Sequence, residues 1–82
     1  MFTIYSKPNC PYCDQAKALL TSKHQAYQEK KIDVGQEKIE GDIYVTIQEL
    51  KELVPHVKSV PQIFFDGNLI GGFQQLKFYL HN

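Results

Sequence analysis

The 82-residue chain balances nine Lys+Arg against nine Asp+Glu, and is 43% hydrophobic and 22% charged. That is the composition of an ordinary globular protein, and its length fits one domain, residues 1–82, with a modest core. Zero net charge lacks the basic excess by which nucleic-acid binders hold phosphates, and no apolar run approaches the ~18 residues of a membrane-spanning helix. No nucleic-acid or membrane partner is therefore expected, and neither is a deep cofactor cavity. Residues 1–5 carry no charged segment followed by a long apolar stretch, so a cytoplasmic location is expected. Cytosolic thiols are kept reduced, and two cysteines there are seldom a structural staple.

In chain order, Phe2-Thr3-Ile4-Tyr5-Ser6 alternates and reads as a strand, ended by Lys7-Pro8-Asn9. A helix is predicted from about Pro11 to Lys23, with Cys13, Ala16, Leu19 and Leu20 on one stripe and Asp14, Gln15 and Lys17 facing away. Proline suits the first helical position because its missing N–H would have no partner there. A second strand is expected from Tyr27 to Val34. Its Gln28-Glu29-Lys30-Lys31 suits a sheet edge, where lysines discourage aggregation. Residues 35–42 read as a loop.

Thr46 and Glu49 form a capping box, with Val45 and Leu50 as a hydrophobic staple. The helix they open presents Ile47, Leu50, Leu53 and Val54 and stops at Pro55. Gln62-Ile63-Phe64-Phe65 and Asn68-Leu69-Ile70 flank Asp66-Gly67, a tight-hairpin signal. Gly71-Gly72 then breaks the chain before a closing helix with Phe73, Leu76, Tyr79 and Leu80 apolar. The order β-α-β-α-β-β-α predicts an α/β fold: a mixed four-stranded sheet flanked by three helices on both faces, its first two strands parallel.

Cys10-Pro11-Tyr12-Cys13 is a C-x-x-C at a strand–helix junction inside a βαβ pattern, the context in which this spacing signals redox chemistry. Unpaired N–H groups at the helix start stabilise a thiolate at Cys10, and the thiolate is the attacking species. Lys7, three residues upstream, adds positive charge nearby. Cys13, one turn in, faces the core and is placed to resolve a mixed disulfide on Cys10 at high effective concentration. Two other readings stay open. Half of a zinc site would need two more ligands from His24, His56 or His81, whose spacing is poor for it. Two ordinary core cysteines are the other, and the position of Cys10 after Pro8-Asn9 argues against that.

Together, Cys10-Pro11-Tyr12-Cys13, Ser59-Val60-Pro61 and Gly71-Gly72-Phe73 resemble the glutaredoxins over nearly the whole chain. Residues 12–21 and 71–79 look most like the short phage-encoded members, also called phage thioredoxins. The resemblance implies a thioredoxin-like fold and a cis Pro61 facing the cysteines, with the Val60 backbone pairing with a bound cysteine as an added strand does. It further implies that Lys7 and Gln62 meet the glycine carboxylate of glutathione and that Tyr12 packs against substrate. Gly72, Phe73 and Gln74 would receive the γ-glutamyl group.

Most glutaredoxins carry an aspartate just after the aromatic, where this chain has Gln74 and Gln75. A charge-assisted hydrogen bond is roughly twice as strong as a neutral one, so weaker glutathione affinity is expected. The implied protein is a monomeric dithiol glutaredoxin without a tightly bound cofactor. Glutathione would be its co-substrate, and disulfide-containing proteins, ribonucleotide reductase among them, its partners. Two rivals are a thioredoxin-type reductase recycled by a flavoprotein, and a non-enzymatic iron–sulfur carrier or adaptor, against which Pro11 between the cysteines counts.

Overall fold

The computed structural model of the chain describes residues 1–81. Its elements are β1 (Phe2–Ser6), α1 (Pro11–Ser22), β2 (Tyr27–Ile32), β3 (Ile43–Val45), α2 (Ile47–Leu53), β4 (Gln62–Phe65), β5 (Asn68–Gly71) and α3 (Phe73–Tyr79). The sheet runs β3-β2-β1-β4-β5, with β1/β2 and β2/β3 parallel and β1/β4 and β4/β5 antiparallel.

The sheet thus has five strands where four were expected. The additional strand is β3, three residues that pair with Lys30, Lys31 and Ile32. So short a strand has no alternation to read, and its Val45 also serves the staple of α2. Because β3 covers it, β2 is not the sheet edge its lysines suggested. Those lysines instead run their aliphatic stems along the sheet and keep their charged ends outside. Lys30 Nζ lies 5.7 Å from the Tyr5 ring centroid, and Lys31 Nζ donates to Asp42 at 2.7 Å. That bond to Asp42 raises the Lys31 pKa above its ordinary value. β2 also ends at Ile32 rather than Val34, since Asp33 turns the chain by accepting the Gly35 N–H.

Alternation along the central strand divides the core in two. Phe2 and Ile4 face α1 and α3, packing with Ala16, Leu20, Ile63 and Leu76. Tyr5 faces the other way, with Ile32, Leu50 and Phe64. The expected capping box and staple open α2: Glu49 N–H donates to Thr46 Oγ1, Thr46 N–H donates to Glu49 Oε2, and Val45 and Leu50 share one cluster. The predicted hairpin turn has positive φ at both Asp66 (48°) and Gly67 (85°), the conformation that its Asp-Gly pair tolerates.

Candidate active site

The site begins with the exit from β1. Asn9 takes φ 56°, which asparagine tolerates better than most residues, and brings Cys10 in as the N-cap of α1 in extended conformation. Pro11 follows at the first helical position. The Cys13 N–H donates to Cys10 Sγ at 3.2 Å, and the Asp14 N–H donates to the Cys10 carbonyl at 3.1 Å. Cys10 sulfur thus takes the place that a serine or aspartate oxygen occupies in ordinary caps. A hydrogen bond donated to a sulfur favours its ionised form when the pair is reduced.

In this structure the two sulfurs are joined as a disulfide, with Cα atoms 5.2 Å apart. Cys13 is 1% exposed and Cys10 8% exposed, so the sulfur at the cap is the one an incoming group reaches first. Across from it, the Val60–Pro61 peptide bond is cis, and the Val60 carbonyl oxygen lies 3.6 Å from Cys10 Sγ. The Val60 N–H has no hydrogen-bond partner among the described residues.

An open groove of ≈ 410 Å³ runs from this point between α1 and α3, lined by Tyr12, Ser59, Val60, Pro61, Gly72, Phe73, Gln74 and Gln75. Six residues singled out in the sequence meet here: Tyr12, Val60, Pro61, Gly72, Phe73 and Gln74. The Tyr12 and Phe73 rings form its aromatic wall, their centroids 6.0 Å apart, with Lys77 Nζ 5.4 Å from the Phe73 centroid. Lys7 and Gln62 do not join this groove. Lys7 is exposed on the far side of Ser59 and Val60. The Gln62 amide donates to the Ser59 carbonyl at 2.8 Å, bracing the turn that carries Val60.

Gln75 has a role that the sequence reading missed. Its Oε1 accepts the Gly72 N–H at 3.0 Å, and its side chain lies where a Cβ on Gly71 would clash, 2.9 Å from Gln75 Cγ. Gln75 therefore supplies half of a capping box for α3, while Gly72 has no side chain to return the bond. The i, i+3 spacing of Gly72 and Gln75 was the available signal. A polar cluster behind α1 also went unread: Ser6 Oγ donates to Glu29, which accepts from Lys17 Nζ at 3.1 Å.

Comparison with known proteins bears on this geometry directly. The family model described as Glutaredoxin matches residues 2–70. Over 73 residues the chain is 42% identical to glutaredoxin 3 of Escherichia coli K12, covering 89% of this chain and 77% of the relative. Among solved structures, reduced Escherichia coli glutaredoxin superposes with a TM-score of 0.72 at 30% identity, over 98% of this chain and 92% of that one. A buckwheat glutaredoxin–glutathione complex does so at 0.66 and 28% identity, over 95% and 67%. With a redox cysteine pair capping the first helix of a thioredoxin-like fold, the chain belongs to the glutaredoxin family and is a thiol–disulfide oxidoreductase.

Proposed function

We propose that this protein is a dithiol glutaredoxin that reduces protein disulfides and glutathione mixed disulfides, residues 1–82 acting as one monomeric domain. The observation that carries the reading is the position of Cys10 Sγ. It accepts an N–H at the start of α1 and sits 3.6 Å from the carbonyl of Val60, a residue that lines the aromatic groove. The Cys10 thiolate attacks one sulfur of the substrate, forming a mixed disulfide and releasing the other sulfur as a thiolate. The Cys13 thiolate then attacks Cys10 Sγ, closing the internal disulfide and releasing the second substrate sulfur. The dithiol loses two electrons and the substrate disulfide gains them.

Two glutathione thiols restore the dithiol and leave as glutathione disulfide, so glutathione is co-substrate and no resident cofactor is needed. The buckwheat neighbour is a glutathione complex, which supports this choice of thiol. On this reading the unpartnered Val60 N–H pairs with the glutathione cysteine and Tyr12 and Phe73 flank it. Pro61 and Gly72 form the floor, Gln74 meets the γ-glutamyl group, and Lys7 attracts the glycine carboxylate, with Gln62 holding the Val60 turn. Gln75 is occupied with Gly72, leaving Gln74 as the side chain free to meet the ammonium. That uncharged contact favours a second reading, recycling by a flavoprotein reductase as in thioredoxins.

A reducing cytoplasm suits the chemistry, and among the described residues no helix is long and apolar enough to cross a membrane. Ribonucleotide reductase is the protein acceptor proposed from the likeness of residues 12–21 and 71–79 to phage glutaredoxins. The relatives named above are not phage proteins, so that kinship rests on those two stretches alone.

The test is a glutathione-coupled reductase assay on wild type, Cys10→Ser and Cys13→Ser. Cys10→Ser is expected to lose all activity. Cys13→Ser should still turn over small glutathione mixed disulfides while failing on protein disulfides. Activity retained in Cys10→Ser would overturn the assignment, and turnover supported only by thioredoxin reductase would select the second reading.

A further inference from the structure

Val60 is a ridge between two grooves. On the side away from Tyr12 and Phe73 lies a second one of ≈ 410 Å³, its lining including Lys7, Val34, Ile47, Lys51, Lys58 and Val60. The two differ in chemistry. The aromatic groove has no charged lining residue, whereas the second carries three lysines. Lys7, Lys51 and Lys58 are all exposed and form no ion pair among the described residues. Its one acid, Asp33, is already engaged by the Gly35 N–H and by Lys38 Nζ, each at 3.0 Å.

Between the cations, apolar surface is left open: Val34 is 59% exposed and Ile47 is 40% exposed. Ile47 is on the apolar stripe of α2, yet within that helix only Leu50 is buried. An overall neutral chain therefore concentrates uncompensated positive charge around uncovered apolar side chains, beside the residue that faces Cys10.

Building on the reductase reading above, we propose that this second groove docks the protein substrate: a segment flanking its reactive cysteine that combines Asp or Glu with aliphatic side chains. The acids meet Lys51 and Lys58, the aliphatic groups cover Ile47 and Val34, and the cysteine reaches Cys10 over the Val60 ridge. Complementary charge at such a surface acts chiefly on the rate of encounter and weakens with salt.

The probes are synthetic peptides closed by one internal disulfide and flanked by Leu/Glu, Leu/Lys or Gly/Ser segments, with the cysteine–glutathione mixed disulfide as small-substrate control. In each peptide reduction, Cys10 displaces one peptide sulfur and Cys13 displaces the other. The peptide leaves as a dithiol and the enzyme as its disulfide. The Leu/Glu peptide is expected to show a kcat/KM about tenfold above the Leu/Lys peptide at low salt, a gap that closes by roughly 0.5 M NaCl.

In Lys51→Glu/Lys58→Glu the preference should vanish or reverse while the small disulfide is reduced at the wild-type rate. Lys51→Gln/Lys58→Gln serves in case reversal disturbs folding, and the peptide and salt comparisons need no variant. Equal rates for the three peptides in wild type, or a full preference surviving in the double variants, would overturn the docking proposal while small-disulfide reduction keeps the reductase reading. If wild type reduces neither peptides nor the small disulfide, both fall.

Discussion

The two faces of the sheet are built differently. Toward α1 and α3, six buried residues from four elements interlock: Phe2, Ile4, Ala16, Leu20, Ile63 and Leu76. Toward α2 the buried set is four, and the seven-residue helix itself contributes only Leu50. The first face holds the helix that carries the cysteines, and a resolving sulfur needs a fixed distance from its partner. The second face is thin, which leaves the rest of α2's apolar stripe at the surface. Stability and docking area are thus drawn from opposite sides of one small sheet.

Truncating one leucine on each face gives the largest effects and the most direct way to break that comparison. Leu20 and Leu50 are both fully buried. Leu20→Ala is expected to cost roughly 3–5 kcal/mol, because the surrounding elements cannot close the cavity. In a domain of this size that lowers the melting temperature on the order of 15 °C or more. Leu50→Ala should cost about 2–3 kcal/mol, since a helix with one anchor relaxes toward solvent. Urea unfolding of the two variants checks the ordering, and a larger loss at Leu50 would refute the asymmetry.

A smaller effect sharpens the same point. With so little buried beneath it, α2 depends more on its ends. Thr46→Ala removes the oxygen that accepts the Glu49 N–H at 3.1 Å, at a cost of about 1 kcal/mol. Native-state hydrogen exchange should show the amides of α2 opening well before those of α1, and further so in Thr46→Ala. Equal protection of the two helices in wild type would count against the argument.

What could be read from the sequence followed from how local each signal was. Cys10 as a cap, the Thr46–Glu49 box and the Asp66-Gly67 turn are each set by a few adjacent residues, and all three stand in the structure. β3 depends on pairing with residues more than ten positions upstream, and three residues carry no period. Lys30 and Lys31 misled because a long stem can lie along a sheet while its charge stays outside, so a lysine does not mark an edge. The glutaredoxin resemblance assigns Lys7 and Gln62 to the glycine carboxylate of glutathione; in the fold Lys7 lines the second groove, across Val60 from the aromatic one, and the Gln62 amide donates to the Ser59 carbonyl. The second groove draws on residues from 7 to 60, and no contiguous motif announces it.

The smallest expected effect lies at the rim of that groove and is readable by pH. The Gly35 N–H, and after it the Lys38 ammonium, hold the Asp33 carboxyl below its ordinary pKa. The folded state therefore takes up a proton at Asp33 less readily than the unfolded state does. The stabilisation is complete above the unfolded value of ~3.9 and is lost as pH falls below it, through the lower folded value. Asp33→Asn keeps an acceptor for the Gly35 N–H but removes the charge. Its urea midpoint should sit slightly below wild type near neutral pH and converge with it on acidification beneath about pH 4. Both partners are exposed, so added salt at neutral pH should also shrink the gap. A difference that persists unchanged in strong acid would mean that the side chain acts through its shape, and that its charge contributes nothing to the rim.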